Sequence, residues 1–127
     1  MRYVLFVHYV DAPTPRDPEA WSRLSGDEQK SVYVGYQAIR QAPGVTAAGQ
    51  LQAPGTATTV RVRDGEILVT DGSYASPTDA IGGYLTYEAD SLDVAIDLAS
   101  RIPAARMGGA VEIRPFVEGD GGFRGPS

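Results

Sequence analysis

The chain has no cysteine, and this absence excludes several kinds of site at once. Without thiols there is no disulfide, no thiolate nucleophile, no iron–sulfur cluster and no cysteine-based zinc finger. The single histidine, His8, excludes a metal site built from several histidines of one chain. We therefore expect no metal and no cofactor. The sequence sets no redox requirement, so the cytoplasm is the expected location.

Long apolar runs are also missing, since the longest has about five residues and a membrane helix needs roughly 20. We expect no signal peptide, because Met1-Arg2 leads directly into a strand-like run without a cleavage site behind it. Basic residues number 11 against 16 acidic ones, which gives a formal net charge of -5. Neither nucleic acid nor an anionic membrane is therefore expected as a partner.

The apolar pattern of the 127 residues predicts one α+β domain. Two helices are expected, one capped by Ser25 and one by Asp90 or Ser91. Their order among the strands predicts a ferredoxin-like βαββαβ sandwich with an inserted β-hairpin. The domain covers 1–118, and the Gly-rich residues 119–127 are expected to form a flexible tail. The predicted strands are 2–10, 45–51, 58–63, 66–70, 80–88 and 110–117.

Helical spacing marks the inward face of both helices. In the first helix, Ser25 and Glu28 have the spacing of a capping box, in which each side chain binds the other residue's backbone N–H. Val32, Tyr36 and Ile39 follow at intervals that place them on one face, toward the core. In the second helix, the predicted inward residues are Leu92, Ala95, Ile96 and Ala99.

The first strand is apolar on both faces. Val4 and Phe6 alternate with Tyr3, Leu5 and Val7. A strand of this kind is central in a sheet that is covered on both sides. Because two helices cover only one face, we expect a second copy of the chain to cover the other, as a homodimer.

Two Asp-Gly pairs mark tight turns, since glycine and aspartate tolerate the backbone angles that such turns need. Asp64-Gly65 joins the two strands of the predicted hairpin and has no further role. Asp71-Gly72 is followed by a polar loop rather than by a paired strand. The second pair is therefore the better candidate for part of a functional site.

Five stretches of the chain together carry a family resemblance. They are Arg2–Tyr9, Thr56–Arg61 with Val69–Gly72, Gly82-Gly83-Tyr84, Arg101–Arg106 and Val111–Pro115. As a set, and up to about Val117, the chain resembles the YCII-related proteins, in particular the subgroup with a DGPF motif. The resemblance implies a dimeric α+β barrel in which two sheets face each other. It also implies small, often aromatic or cyclic, organic molecules as ligands, and in some members a His–Asp pair is the suspected catalytic dyad.

The chain differs from that family in the motif itself. Where the family has Asp-Gly-Pro-Phe, this chain has Asp71-Gly72-Ser73-Tyr74, and Ser76 stands where an acidic residue is usual. The turn is expected to persist because Asp and Gly persist. The change removes a second carboxylate and adds the hydroxyl group of Tyr74.

His8 and Asp71 are the candidate catalytic residues. His8 has the chemistry of a general acid or base at neutral pH, and the alternative is a partly buried strand residue whose ring nitrogens are hydrogen-bonded. Asp71 is expected to orient His8 or to act as a base itself. The alternative for Asp71 is an Asx-turn that only stabilises the loop.

Five further residues are candidates for substrate binding. Tyr36, Tyr74 and Tyr84 would line a pocket and polarise a carbonyl group, although aromatic residues at such positions also serve as core or interface residues. Ser73 adjoins them in the polar loop. Arg114 would hold a carboxylate or form a surface ion pair with Glu112.

Three functions follow from these alternatives. The first is a small cofactor-independent enzyme that performs isomerisation, cyclisation or elimination on a small organic substrate by acid–base chemistry. The second is a non-catalytic dimer that binds a small molecule or assists another protein. The third is a partner-binding dimer without a cavity.

Overall fold

The structure is a computed structural model that describes residues 1–76 and 79–118. The predicted tail, 119–127, lies outside the described residues. The strands are β1 (Arg2–His8), β2 (Val45–Gln50), β3 (Thr58–Arg63), β4 (Glu66–Asp71), β5 (Gly83–Glu88) and β6 (Ala110–Pro115). The helices are α1 (Pro18–Ser22), α2 (Gly26–Gln41), α3 (Leu92–Ser100) and α4 (Pro103–Arg106), with a 3-10 turn at Pro54–Thr56.

Four strands form the main sheet, in the order β2-β5-β1-β6. Each neighbouring pair is antiparallel, and β1 lies in the interior of the sheet between β5 and β6. The fold is therefore mixed α+β with an antiparallel sheet, which agrees with a ferredoxin-like arrangement. None of the described helices is both long and apolar enough to cross a bilayer.

Several strands are shorter than predicted, for backbone reasons. β1 ends at His8, and Val10 has a φ of 49°, which no strand residue adopts. β5 begins at Gly83 rather than at residue 80. β6 ends at Pro115 rather than at residue 117.

The core lies between the helices and one face of the main sheet. Tyr3, Leu5 and Val7 of β1 point to this face and are buried. Their cluster continues through Leu85, Tyr87, Ile39, Ala95, Leu98 and Ile102. The alternation predicted for β1 is thus present on the helix-covered face.

The opposite face of β1 is only half-buried, at Val4, Phe6 and His8. This face, which we call the open face, is not covered by the helices. The double-sided burial predicted for β1 is therefore incomplete within one described chain.

The predicted capping box begins α2. Ser25 Oγ accepts from the backbone N–H of Glu28 at 3.1 Å, and Glu28 Oε1 accepts from the N–H of Ser25 at 2.9 Å. Val32 and Ile39 are buried and Tyr36 is half-buried. The predicted inward face of this helix is confirmed, and Tyr36 is its least covered member.

The predicted inward face of α3 was partly wrong. Ala95, Leu98 and Ala99 are buried, whereas Leu92 and Ile96 are 51% and 47% exposed. The buried stripe continues beyond the helix to Ile102, at the same three- and four-residue spacing. The buried stripe lies nearer the carboxyl end of α3 than predicted. Leu92 and Ile96 therefore lie on the outer side of the helix.

β3 and β4 form a separate two-stranded sheet. Asp64 and Gly65 have φ values of 52° and 80°, so the turn uses the positive angles expected of Asp-Gly. One face of this hairpin carries four apolar residues that are 60 to 72% exposed, Val60, Val62, Ile67 and Val69, with Thr58 and Asp71 at its base. The other face carries Arg61, Arg63, Glu66, Leu68 and two threonines.

Candidate functional site

A cavity of about 630 Å³ lies between α2 and the β2–β5 side of the main sheet. The loop 13–16 and Trp21 complete its wall. A volume of this size is in the range of small-molecule pockets, roughly 300 to 1,000 Å³. The floor is buried and wholly apolar, and consists of Val7, Val32, Ile39, Leu85 and Ile102.

Two tyrosines place phenol groups in this cavity. Tyr9 directly follows β1 and Tyr36 lies on α2. Burial raises the pKa of Tyr9, against the opposing effects of Arg16, Arg40 and a hydrogen bond with Gln50. Burial, together with the neighbouring Tyr9, raises the pKa of Tyr36 to about 12. Both phenols are therefore protonated at neutral pH and can donate a hydrogen bond to a ligand.

Arg16 and the backbone near Gly82 hold Tyr9 in place. The Arg16 guanidinium carbon lies 4.8 Å from the centroid of the Tyr9 ring. Arg16 Nη1 also donates to the carbonyl of Leu51 at 2.6 Å. A Cβ on Gly82 would overlap the Tyr9 ring, so this position requires glycine. The backbone at Gly82 thus approaches the Tyr9 ring closely.

The exposed edge of the cavity, which we call the rim, is cationic. Arg16 and Arg40 both line the cavity and are both exposed. Among the described residues that line it there is no Asp, Glu or His. The exposed amides of Gln37 and Gln50 add neutral hydrogen-bonding groups at the same edge.

Trp21, the only tryptophan of the chain, lies in the cavity wall beside Tyr33. The two rings meet edge to face, with 5.5 Å between centroids. Gln29 Nε2 donates to the Trp21 carbonyl at 2.9 Å, which joins α1 to α2. Trp21 thus fixes α1 against α2 and also contributes to the cavity.

Two of the predicted site residues, Tyr36 and Tyr84, line the cavity. Tyr84 lies against Gly49, where a Cβ would be too close to the tyrosine ring. The other predicted residues do not line it: His8, Asp71, Ser73, Tyr74 and Arg114.

His8 belongs to the open face, because it alternates with Val7 along β1. Its Nδ1 is 2.8 Å from the carbonyl oxygen of Asp79. A carbonyl can only accept, so Nδ1 carries the proton and Nε2 of the neutral ring keeps its lone pair. Among the described residues, no hydrogen bond or ion pair joins His8 to Asp71.

The Asp71-Gly72 turn is held by the start of β3. Gly72 has a φ of 100°, and its N–H donates to the carbonyl of Ala57 at 2.7 Å. Thr59 Oγ1 donates to the Gly72 carbonyl at 2.8 Å. Asp71 itself is exposed at the end of β4. Gly72 has the positive φ expected of Asp-Gly and the chain bends there, but its N–H extends the β3–β4 ladder to Ala57 and does not close a tight turn.

Ser73 and Tyr74 lie in the loop beyond this turn. Ser73 Oγ donates to the carbonyl of Ala75 at 2.6 Å, so the hydroxyl is used within the loop. The Tyr74 side chain is 79% exposed, and the guanidinium of Arg61 lies 5.9 Å from its ring centroid. Both side chains are accessible to solvent or to another molecule.

Arg114 lies on the open face, paired with Val4 across the β1–β6 ladder. Its Nε is 3.9 Å from Glu112 Oε2, and both side chains are more than half exposed. This is the surface ion pair that formed one of the two alternatives for Arg114. At such exposure a pair of this kind contributes about 0 to 1 kcal/mol to stability.

Sequence reasoning did not select Tyr9, Arg16, Arg40 or Gln50. One signal was present, because Tyr9 continues the inward alternation of Tyr3, Leu5 and Val7 by two further residues. Arg16 carried no such signal, since it lies in a proline-rich loop whose path depends on tertiary contacts. In the described part of the chain, no group of three or more His, Asp or Glu residues is placed to hold a metal ion.

An antiparallel sheet with helices on one face and an aromatic cavity between them defines a small α+β protein with a ligand-sized pocket. The model of the YCII-related domain matches residues 1–118. The chain therefore belongs to the YCII-related family. A search of curated proteins gave no match.

Proposed function

We propose that this YCII-related protein binds a small organic molecule in the cavity beside Tyr9 and Tyr36. The observation that carries the proposal is the combination of an apolar floor with two protonated phenols in one space of about 630 Å³. An apolar pocket with a few converging polar groups is the usual form of a ligand site. The binding function corresponds to a non-catalytic or accessory member of the family.

Trp21 provides a direct test, because it is the only tryptophan and lies in the cavity wall. We expect the neutral probe naphthylacetamide to change the Trp21 fluorescence in a saturable manner. Ala48→Leu, on the cavity side of β2, should fill the space and weaken binding by at least about tenfold, which corresponds to ~1.4 kcal/mol.

Ala47→Leu is the matched control for this experiment. Ala47 and Ala48 are neighbours in β2, and both are exposed, but only Ala48 lines the cavity. Ala47→Leu should leave probe binding unchanged. A fluorescence response that neither saturates nor differs between the two variants would reject the cavity as a binding site.

The second candidate is the acid–base enzyme, and the His8 geometry supports it. The bond to Asp79 leaves Nε2 as the basic nitrogen on the open face. In a dimeric barrel this face would be enclosed between two sheets, and Asp71 of the hairpin would supply a carboxylate. A base that is shielded from water in this way can remove a proton from a carbon or oxygen acid.

Nitrobenzisoxazole tests this candidate, because its ring opens in a single elimination step when a base removes one proton. We expect the wild type to accelerate the elimination, and His8→Gln to abolish most of the acceleration. Asp71→Asn should reduce it if Asp71 assists. Activity that survives both substitutions would exclude this pair as the catalytic groups.

Homodimer formation is part of both proposals and is supported by the uncovered apolar surfaces. An isolated two-stranded hairpin is marginal in water unless its apolar face is covered. The face with Val60, Val62, Ile67 and Val69 is not covered within the described chain. A second copy offers the half-buried Val4 and Phe6 of its open face as apolar surface.

We also propose that the chain belongs to the DGPF subgroup, on the basis of Asp71-Gly72 at the base of this hairpin.

A further inference from the structure

We infer that the ligand of the cavity is an organic acid, with an aromatic or aliphatic body on the floor and an oxyanion head at the rim. Carboxylate and phosphate monoester heads share the chemistry required. This inference rests on the proposed binding function and adds the charge and the orientation of the ligand.

The first observation is that the rim cations have no counter-charge. Among the described residues, neither Arg16 nor Arg40 forms an ion pair, whereas Arg23, Arg101 and Arg114 each do. The acidic residues of the chain outnumber the basic ones by 16 to 11, yet none of the described residues lining the cavity is acidic. A cationic rim in a chain of negative net charge favours an anionic ligand.

The second observation is that both arginines line the same cavity as the Tyr9 phenol. Arg16 is fixed by its contacts with the Tyr9 ring and the Leu51 carbonyl, and the charges of Arg16 and Arg40 both lower the pKa of the Tyr9 phenol. The exposed Gln50 amide lines the cavity as well. An oxyanion beside the Tyr9 hydroxyl would therefore meet two guanidinium groups and a phenol donor, which are strong partners for it.

The third observation is that the residues lining the cavity are apolar at its floor and polar or charged at its rim. The floor residues are all apolar and less than a tenth exposed. Charged and amide side chains of the lining occur only among its exposed members. A ligand that matches this gradient has an apolar body and one polar end. An acid that is charged at its inner end would lose its hydration without compensation.

Matched acid and amide probes test the inference while keeping the body of the ligand constant. Naphthylacetate and naphthylacetamide, and benzoate and benzamide, are titrated into the full chain and followed by Trp21 fluorescence. Phenyl phosphate is the additional arm that distinguishes the two oxyanion heads. We expect each acid to bind about tenfold more tightly than its amide at low salt, and the preference to decline as salt screens the rim.

Arg40→Gln is the principal variant, because Arg40 is exposed and forms no hydrogen bond through its side chain and no ion pair among the described residues, so the substitution should fold. It should reduce the preference for the acid about threefold, in line with single exposed charge pairs. Affinity for the amide should stay the same. Arg114→Gln, on the open face, is the control and should change neither affinity.

The outcomes separate the two proposals. Equal binding of acid and amide, with loss of both in Ala48→Leu, would overturn the charge assignment and leave the cavity as the binding site. Absence of saturable binding for every probe would overturn both. Binding of phenyl phosphate alone would identify a phosphate head, whereas binding of the carboxylates with an Arg40-dependent preference would identify a carboxylate.

Discussion

The guanidinium carbon of Arg16 lies 4.8 Å from the centroid of the Tyr9 ring, while Nη1 of the same residue donates to the Leu51 carbonyl at 2.6 Å. Arg16 therefore connects the proline-rich loop to the residue after β1 and to the residue after β2. A single side chain thus holds the wall of the cavity and the connection that leads to the hairpin. This relationship explains why a loop without regular structure forms part of the site.

Substituting Gly82 with alanine should disturb the cavity through Tyr9. A Cβ at this position would overlap the Tyr9 ring, which must shift or force the backbone apart. We expect a loss of about 1 to 3 kcal/mol in the free energy of unfolding, as for overpacked cores. Urea denaturation gives the magnitude, and probe titration gives the accompanying loss of binding.

Gly26→Ala is the matched control, because a Cβ there meets nothing within 4 Å. Gly26 is the first residue of α2, where alanine is at least as favourable as glycine. Its free energy of unfolding should be unchanged or slightly raised. Equal behaviour of the two variants would show that the Tyr9 ring can move without cost.

The sequence predicted those features that local chemistry determines. The capping box of Ser25 and Glu28 needs only a three-residue spacing, and both of its hydrogen bonds are present. The inward residues of α3 depended on where the helix meets the sheet, so periodicity alone selected Leu92 and Ile96 instead of Leu98. Helical periodicity predicts which residues share one face of a helix, but it does not predict which face turns toward the sheet.

The residues of the candidate site also divide into those that local sequence patterns predict and those that only tertiary contacts determine. Tyr36 was predicted because it lies on the inward stripe of a recognisable helix, and it lines the cavity. Arg16 and Arg40 come from a loop and from the end of α2, and only the folded chain brings both to the same cavity. Contacts between residues that are far apart in the chain produce no regular spacing. One sequence alone therefore does not reveal them.

The Tyr36 phenol should ionise only in strongly alkaline solution. Burial raises its pKa from 10.0 to about 12, so the folded protein retains the proton over a range in which the unfolded chain releases it. The free energy of unfolding should therefore decrease as the pH rises above 10. Tyr36→Phe should weaken this decrease. Urea denaturation of both proteins across the alkaline range measures it.

Ultraviolet absorbance provides the direct readout of the same phenol. In the folded wild type, one ionisation should be delayed to about pH 12, and Tyr36→Phe should remove that step. Ionisation of every tyrosine of the folded protein in one transition near pH 10 would contradict the burial of Tyr36.

Ser25→Ala should destabilise the start of α2 by about 1 kcal/mol, because the hydroxyl caps a backbone N–H that has no helical partner. The control is Ser31→Ala, which changes the same residue type at an exposed position within the helix and should cost little. Thermal and urea denaturation compare the two. A larger loss in Ser31→Ala than in Ser25→Ala would contradict the capping role.

The other half of the capping box gives a pH-dependent prediction. The backbone of Ser25, and then its side chain, lower the pKa of Glu28 below its ordinary value. A carboxylate with a lowered folded-state pKa adds stability above its unfolded pKa and loses it as the pH falls. Glu28→Gln should therefore flatten the acid side of the stability profile, as measured by denaturation between neutral and acid pH.

Val62→Lys should separate the proposed homodimer into monomers. The Val62 side chain is 67% exposed on the apolar face of the hairpin, and a lysine there would have to lose its hydration in an interface. We expect the dissociation constant of the dimer to increase at least about tenfold, or ~1.4 kcal/mol. Thr70→Lys introduces the same charge on the polar face and should leave the dimer intact. Native mass spectrometry and sedimentation at micromolar concentration measure the oligomeric state of both variants. A monomeric wild type would contradict the proposal that a second copy covers this face.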